Sequence, residues 1–305
     1  LAARDAAEAA REAAIEREPR ALQPPPPKER SKAPALNDQQ TAVVAAVQAA
    51  DGFQQHLIFG ITGSGKTEVY LAVIQNVLKR KKSALVLVPE IALTPQMVQR
   101  FSARFGGDIA VLHSGISSRL RRSAWYRAQR GDAQVVIGAR SAVFAAMPNL
   151  GCIIVDEEHD PSYKQGDGVR YHGRDLAIVR AQKADVPVLL GSATPSLETY
   201  SRACGEDPRT HLHKLTKRAT GANLPPITLI DMRQQRRGDV LSEPLEKALE
   251  ETLARGEQAM LLLNRRGWAP SITCLDCGGR QECTTCSIPM VLHRPGYLLC
   301  HLCGW

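Results

Sequence analysis

No apolar run in this 305-residue chain reaches the ~18 residues that a membrane-crossing helix needs. Its opening residues, Leu1-Ala2-Ala3-Arg4-Asp5, are interrupted by charge and form no apolar signal core. These two absences predict a cytoplasmic protein with no membrane partner. Acidic charge is also in short supply, with 31 Asp and Glu against 39 Lys and Arg and a formal net charge of +8. That balance favours a polyanionic partner. The basic residues gather in Lys79-Arg80-Lys81-Lys82, Arg119-Leu120-Arg121-Arg122 and Arg265-Arg266, although such clusters are more often solvated faces than specific contacts. Cysteine is nearly missing before residue 274. Cys152 and Cys204 stand alone and read as ordinary thiols.

What is present is a phosphate loop. Gly60-Ile61-Thr62-Gly63-Ser64-Gly65-Lys66-Thr67 fits G-x-x-x-x-G-K-[ST]. The run Leu57-Ile58-Phe59 leads into it as a strand, and Val69, Leu71, Val73, Val77 and Leu78 follow at roughly helical spacing. The glycines let the backbone curl until its N–H groups face phosphate oxygens, and the following helix adds the positive end of its dipole. Lys66 is placed for the terminal phosphates and the Thr67 hydroxyl for Mg²⁺. The expected ATP-binding set therefore runs from Gly60 to Glu68.

A second motif bears on what hydrolysis drives. Gly151-Cys152-Ile153-Ile154-Val155 is a continuous apolar run, as in a strand buried on both faces, and it ends in Asp156-Glu157-Glu158-His159. Asp156 is expected to hold Mg²⁺ and Glu157 to polarise the attacking water, which makes both catalytic with Lys66. Acidic residues after a strand are often only a solvated loop; the phosphate loop upstream argues for the catalytic reading. His159 suits a contact between a nucleotide site and a nucleic-acid site. The apolar run Val188-Leu189-Leu190 then enters Gly191-Ser192-Ala193-Thr194-Pro195, where Ser192 and Thr194 are expected to hydrogen-bond the Asp156-Glu157 pair. In this order the three motifs resemble a superfamily 2 helicase lobe.

The expected architecture is α/β, with a RecA-like P-loop parallel sheet covered by helices on both faces. Strands are expected near 56–60, 84–89, 109–112, 134–138, 152–156 and 187–191. Residues 1–35 read as a helix over 1–18 followed by a stiff Pro24–Pro27 spacer, and 36–218 as the first lobe. A linker is expected over 219–240. Residues 241–270 read as the start of a second RecA-like lobe, with a helix from Ser242 to Arg255 and a buried strand Ala259-Met260-Leu261-Leu262-Leu263. Residues 271–305 form a cysteine-rich, zinc-ribbon-like insert.

Six cysteines make three C-x-x-C pairs, Cys274/Cys277, Cys283/Cys286 and Cys300/Cys303. Two such knuckles build a tetrahedral Zn²⁺ site. Thirteen residues separate Cys286 from Cys300 but only five separate Cys277 from Cys283. The spacing thus assigns Cys283, Cys286, Cys300 and Cys303 to one site and leaves Cys274 and Cys277 as half of another. A redox pair is the alternative.

Further segments complete a resemblance covering about residues 36–305. They are Leu36-Asn37-x-x-Gln40, Val88-Pro89-Glu90-Ile91-Ala92-Leu93-Thr94-Pro95-Gln96, His113-Ser114-Gly115 and Gly138-Ala139-Arg140-Ser141-Ala142-Val143-Phe144. Tyr163-Lys164-Gln165, Arg170-Tyr171-His172-Gly173-Arg174-Asp175-Leu176-Ala177 and Asn264-Arg265-Arg266-Gly267 follow. With the cysteines, they resemble the bacterial primosomal replication-restart helicases, the PriA family. The resemblance implies an ATP-driven 3′→5′ DNA helicase that binds abandoned forks and remodels them for reloading the replicative helicase. It implies that Gln40 reads adenine and that Tyr163–Arg174 is an aromatic-rich loop coupling single-stranded DNA to the ATP site. In that loop Tyr163, Tyr171 and His172 suit base stacking, and Lys164, Arg170 and Arg174 suit phosphates. Val169 stands where an aromatic is common. Forked and single-stranded DNA, primosome proteins, the helicase loader and single-stranded DNA-binding protein are the implied partners. The family's amino-terminal DNA-binding domains, fourth cysteine pair and second-lobe arginine fingers are not found in these residues. The chain is therefore expected to be a fragment that hydrolyses ATP weakly, if at all. The competing expectation is an ATP- and DNA-binding restart scaffold that does not unwind.

Overall fold

The computed structural model describes residues 33–89, 92, 93, 95–207, 209–219, 221, 226–231, 241–262, 271, 272, 274, 277–294 and 297–305. The helix expected over 1–18, the Pro24–Pro27 spacer and the Asn264–Gly267 segment lie outside them. The chain divides into two compact units, residues 1–224 and 225–305, and the division falls inside the 219–240 segment.

In the first unit strands and helices alternate as α1 (Asp38–Ala49), β1 (Gln55–Gly60), α2 (Lys66–Lys79), β2 (Ser83–Leu87), α3 (Pro95–Phe105), β3 (Ile109–Leu112), α4 (Ser118–Arg130), β4 (Val135–Gly138), β5 (Leu150–Asp156), α5 (Gly173–Ala184), β6 (Val188–Ser192), α6 (Leu197–Ala203) and β7 (Thr210–Leu215). The strands pair in parallel in the order β3-β4-β2-β5-β6-β1-β7. Side chains of a strand alternate between sheet faces, so a strand covered on both sides must be apolar throughout. β5 illustrates this: Ile154 packs with Val43, Ile74 and Phe101 on one face, while Ile153 and Val155 pack with Leu57, Leu190 and Ala177 on the other. Helix starts are set locally. Asn37 and Gln40 form a reciprocal capping box on α1, and the Ser117 and Ser196 hydroxyls accept from backbone N–H groups of the first turns of α4 and α6.

β7 extends the sheet beyond the strands expected from sequence. Its run Thr210-His211-Leu212-His213-Lys214-Leu215 carries only two apolar residues, Leu212 and Leu215, each preceded by two polar ones, unlike the continuous apolar runs of its neighbours. The imidazoles of His211 and His213 stack on His56 of β1, with ring centroids 5.2 and 5.3 Å away, and His56 Nδ1 lies 3.0 Å from His213 Nε2. Burial, then the neighbouring histidines, lower His56 to about 3 and His213 to about 4. Unfolded, both would titrate near ~6.5. Between those values the unfolded chain binds more protons, so stability is full above pH 6.5 and falls on acidification toward pH 4. Each histidine is expected to remove up to about 1.4 kcal/mol per pH unit. Urea melts at pH 7.5 and 5 should show this loss, and His213→Gln should reduce it; a melt independent of pH over that range would contradict it.

The second unit contains α7 (Glu243–Ala254), capped by the Ser242 hydroxyl accepting from the Leu245 N–H, and an antiparallel pair, β8 (Val291–Arg294) with β9 (Tyr297–Leu299). The strand expected over 259–263 is not formed in its described part. Met260 is 97% exposed and Leu262 95%. An apolar run becomes a buried strand only where a sheet receives it, and among the described residues of this unit β8 and β9 pair with each other and not with this run. No described helix is long and apolar enough to cross a membrane.

Candidate nucleotide site and metal centre

The phosphate loop leaves the carboxyl end of β1 and enters α2 at Lys66. Gly63 and Gly65 adopt φ of 82° and 81°, the left-handed region that a side chain would strain. Gly65 is also pressed against the Gln40 amide, leaving no room for a Cβ. Gln40 is buried. Its Nε2 donates to the Ser64 carbonyl oxygen at 2.8 Å and its Oε1 accepts from the Asn37 N–H at 2.9 Å. In this structure that amide braces the loop. Lys66 Nζ donates to the Gly60 carbonyl oxygen at 2.9 Å and lies 3.9 Å from Glu157 Oε1. Ser64 Oγ is buried without a partner among the described residues. Ile61 and Thr62 continue the loop, and the half-buried Glu68 pairs with Arg104 of α3 at 2.9 Å.

Asp156 closes β5, and an open cavity of ≈360 Å³ is lined by it with Thr67, Gln96, Arg100 and Glu157. Burial raises the Asp156 carboxyl above its ordinary value; the Tyr70 hydrogen bond opposes the rise, Glu157 adds to it and the Lys66 charge opposes it. The Tyr70 hydroxyl donates to Asp156 Oδ1 at 2.9 Å. Gly191 makes this possible, because a Cβ there would overlap the Tyr70 hydroxyl. Glu157 has φ 45°, a left-handed conformation that costs a non-glycine residue about 1–2 kcal/mol.

The Ser-Ala-Thr segment reaches the acidic motif through its histidine rather than through Asp156 or Glu157. His159 Nδ1 lies 2.7 Å from Ser192 Oγ, and Thr194 Oγ1 lies 3.3 Å from His159 Nε2. An imidazole is long enough to span the space between β5 and β6, whereas the Asp156 carboxylate is taken by Tyr70. Glu158 is fully buried. Its carboxylate accepts from Arg174 Nη1 (2.9 Å), the Thr199 hydroxyl (2.9 Å), the Ser196 N–H (2.7 Å) and the Ser196 hydroxyl (3.2 Å). Stranding either charge of such a buried pair costs ~3–5 kcal/mol.

Two residues of the 163–174 loop do not have the surroundings expected of DNA contacts. Tyr163 is fully buried and its hydroxyl donates to the Asp156 carbonyl oxygen at 2.7 Å, so its ring has no open face for a base. Arg174 is spent on Glu158, Ser196 and, through Nε at 2.9 Å, Asp175. Lys164 and Arg170 are exposed, Tyr171 and His172 half-buried. Tyr171 packs edge-on against Phe144, and the Arg140 guanidinium lies 5.8 Å from its ring centroid.

In the second unit the sulfurs of Cys283, Cys286, Cys300 and Cys303 all lie within 4.8 Å of one another, and Cys283 Sγ is 3.6 Å from Cys303 Sγ. A tetrahedral ion with ~2.3 Å bonds to sulfur needs its ligands about 3.8 Å apart. The backbone N–H of Cys303, and that of Leu302, lower the Cys300 thiol to about 7 against the cost of burial. Cys274 and Cys277 are exposed and lie outside that group.

The model of the DEAD/DEAH box helicase family matches residues 37–203. The chain belongs to that family. It is similar to the Replication restart protein PriA of Bacillus subtilis (strain 168), with 46% identity over 276 residues, 88% of this chain and 34% of the relative. The PriA protein of Haemophilus influenzae (strain ATCC 51907 / DSM 11121 / KW20 / Rd) is 47% identical over 270 residues, 88% of this chain and 37% of the relative. The chain therefore spans about a third of the length of these curated relatives. Among solved structures, RecG bound to a three-way DNA junction aligns with 73% of this chain and 28% of its own, at 19% identity and a TM-score of 0.48.

Three residues of this helicase lobe escaped the sequence reading. Tyr70, Glu158 and Thr199 were visible by position, but their roles depend on packing. Tyr70 falls on an apolar helix face, and only the gap at Gly191 reveals where its hydroxyl goes.

Proposed function

We propose that this chain is the ATP-binding lobe of a 3′→5′ DNA helicase of replication restart. The helicase binds abandoned forks and remodels them for primosome assembly and helicase reloading. The observation that carries the proposal is the convergence of Lys66, Thr67, Asp156 and Glu157 at the carboxyl ends of β1 and β5, where parallel α/β sheets bind ligands. ATP is the substrate. Left-handed glycines and the orphaned Ser64 hydroxyl fit a polyphosphate, and the raised, buried Asp156 carboxyl fits a cation. Lys66 would leave the Gly60 carbonyl to meet the terminal phosphates, while Thr67 and Asp156 would hold Mg²⁺. When bound, Mg²⁺ neutralises charge developing on the transferring phosphoryl group. Glu157 accepts the proton of the attacking water, and His159 links that step to Ser192 and Thr194.

Forked and single-stranded DNA are the proposed nucleic-acid partners, met in part by Lys164, Arg170, Tyr171 and His172. Primosome proteins, the helicase loader and single-stranded DNA-binding protein are the proposed protein partners. Cys283, Cys286, Cys300 and Cys303 would hold Zn²⁺, which supplies structural cross-linking and no chemistry. Cys274 and Cys277 would contribute half of a second site. The 305 residues alone are expected to bind ATP–Mg²⁺ yet hydrolyse it near background, because an arginine finger is worth about 10³–10⁵ in rate and belongs to a second lobe. Strand displacement by a full-length protein carrying this chain tests the proposal. ATP-dependent unwinding of a fork entered from a 3′ single strand supports it. Tight fork binding and ATP binding without unwinding would favour a scaffold instead.

A further inference from the structure

Glu157 sits between two anchors that both lead to the same loop. On one side the Asp156 carbonyl oxygen accepts the Tyr163 hydroxyl at 2.7 Å. On the other the Glu158 carboxylate holds Arg174 at 2.9 Å. Tyr163 and Arg174 flank a hairpin whose base is closed by the pairing of Lys164 with His172 and by the Gln165 N–H donating to the Tyr171 carbonyl oxygen at 2.8 Å. Arg140 clamps that base by donating to the Ser162 and Lys164 carbonyl oxygens at 2.9 and 2.7 Å. The tip, residues 166–170, is exposed throughout. A displacement of the tip therefore reaches the acidic motif through the two residues that hold the neighbours of Glu157.

The Glu158 end carries more than the loop. Its carboxylate also takes the Ser196 and Thr199 hydroxyls and the Ser196 N–H at the start of α6, immediately after the Ser-Ala-Thr segment. One buried side chain thus joins the acidic motif, the exit of the loop and the start of α6, which directly follows the segment that touches His159. Glu157 itself is held in a left-handed backbone conformation, which persists only where the surroundings impose it.

We infer that Arg174, acting through Glu158, is the positioning residue that couples a nucleic-acid strand on the 164–172 loop to the nucleotide site. The inference rests on the DNA-motor reading above and assigns Arg174 to transmission rather than to phosphate contact. Coupling between two ligands is reciprocal, so it is readable without hydrolysis. The 305-residue chain is titrated with a non-hydrolysable ATP analogue and Mg²⁺, with and without saturating oligothymidylate, and the ratio of the two Kd values is the coupling. For the unaltered chain a ratio of about 5–150 is expected, and Arg174→Ala should bring it to about 1. Each ligand's Kd measured alone should stay within about twofold of the unaltered chain, and Arg174→Lys, which keeps the charge, should recover part of the coupling.

A folded Arg174→Ala with undiminished coupling would overturn the inference. So would a selective loss of oligothymidylate affinity, which would make Arg174 a DNA contact. If Arg174→Ala melts below the assay temperature, Thr199→Val carries the test, since it removes one hydrogen bond to Glu158 and no charge. Its coupling should fall, and an unchanged ratio would overturn the inference. An unaltered chain that binds no oligothymidylate would sink the DNA-motor reading itself. One that binds it without coupling would sink only this inference.

Discussion

Replacing Lys66 with Ala is expected to weaken ATP–Mg²⁺ binding strongly while leaving the fold intact. The lysine is the cation that heads the phosphate loop, with Nζ 2.9 Å from the Gly60 carbonyl oxygen and 3.9 Å from Glu157. A hydrogen bond to a charged group contributes ~1.5–3 kcal/mol, so affinity should fall roughly tenfold to more than a hundredfold from this contact alone. The loss is larger for hydrolysis, because the charge on the terminal phosphates grows toward the transition state. The Gly63 and Gly65 turns and the Gln40 brace do not depend on the lysine head group, so the melting transition should barely move. Equilibrium titration with a fluorescent ATP analogue reads the affinity, and turnover in a full-length protein reads the chemistry. DNA-stimulated turnover that survives the substitution would remove Lys66 from the site.

Stripping the metal from the cysteine centre should unfold the second unit's carboxyl-terminal segment and leave the seven-stranded sheet standing. Among the described residues, the buried cluster of that segment is Cys283, Met290 and Cys300, with Cys286, Ile288 and Leu298 packed beside it. A segment below ~40 residues with so small a core ordinarily needs a metal, disulfides or a partner to stay folded. A four-thiolate zinc site supplies ~10–16 kcal/mol of apparent binding energy at neutral pH, far more than three buried side chains can. Elemental analysis of protein purified without chelator should give about one zinc per chain. Cys283→Ser should lose it, and hydrogen exchange over residues 281–303 should rise sharply. A chain free of zinc with those amides still protected, or a Cys283–Cys286 disulfide, would contradict the assignment.

Much of the sheet was legible because β1, β2, β4, β5 and β6 are buried on both faces, and that forces long apolar runs. β7 was not, since an edge strand carrying His211, His213 and Lys214 commits just two apolar side chains, Leu212 and Leu215, to the core. The opposite error occurred at Met260 and Leu262. Their run has the composition of a buried strand, but composition does not supply a sheet to join. At the site, the glycines and the acidic quartet announce themselves because phosphate binding tolerates so few alternatives. Side-chain direction does not. Tyr163 and Arg174 sit among exposed, basic neighbours in sequence, yet both turn inward to the residues flanking Glu157. Glu158 lies one position beyond Glu157 and is buried in a pocket of hydroxyls from α6, which no spacing rule within the motif reveals. Cysteine pairing was legible because a metal site imposes its own geometry on spacing, and four sulfurs within 4.8 Å match the assignment made from loop length.

The most direct test of a DNA-driven ATP motor is single-turnover hydrolysis by a full-length protein carrying these residues, measured with and without forked DNA. The arrangement of Lys66, Asp156, Glu157 and His159 predicts that the fork accelerates γ-phosphate release well above the DNA-free rate and that Glu157→Gln removes the acceleration. Release at the same rate with and without the fork, in protein that binds both ligands, would contradict it.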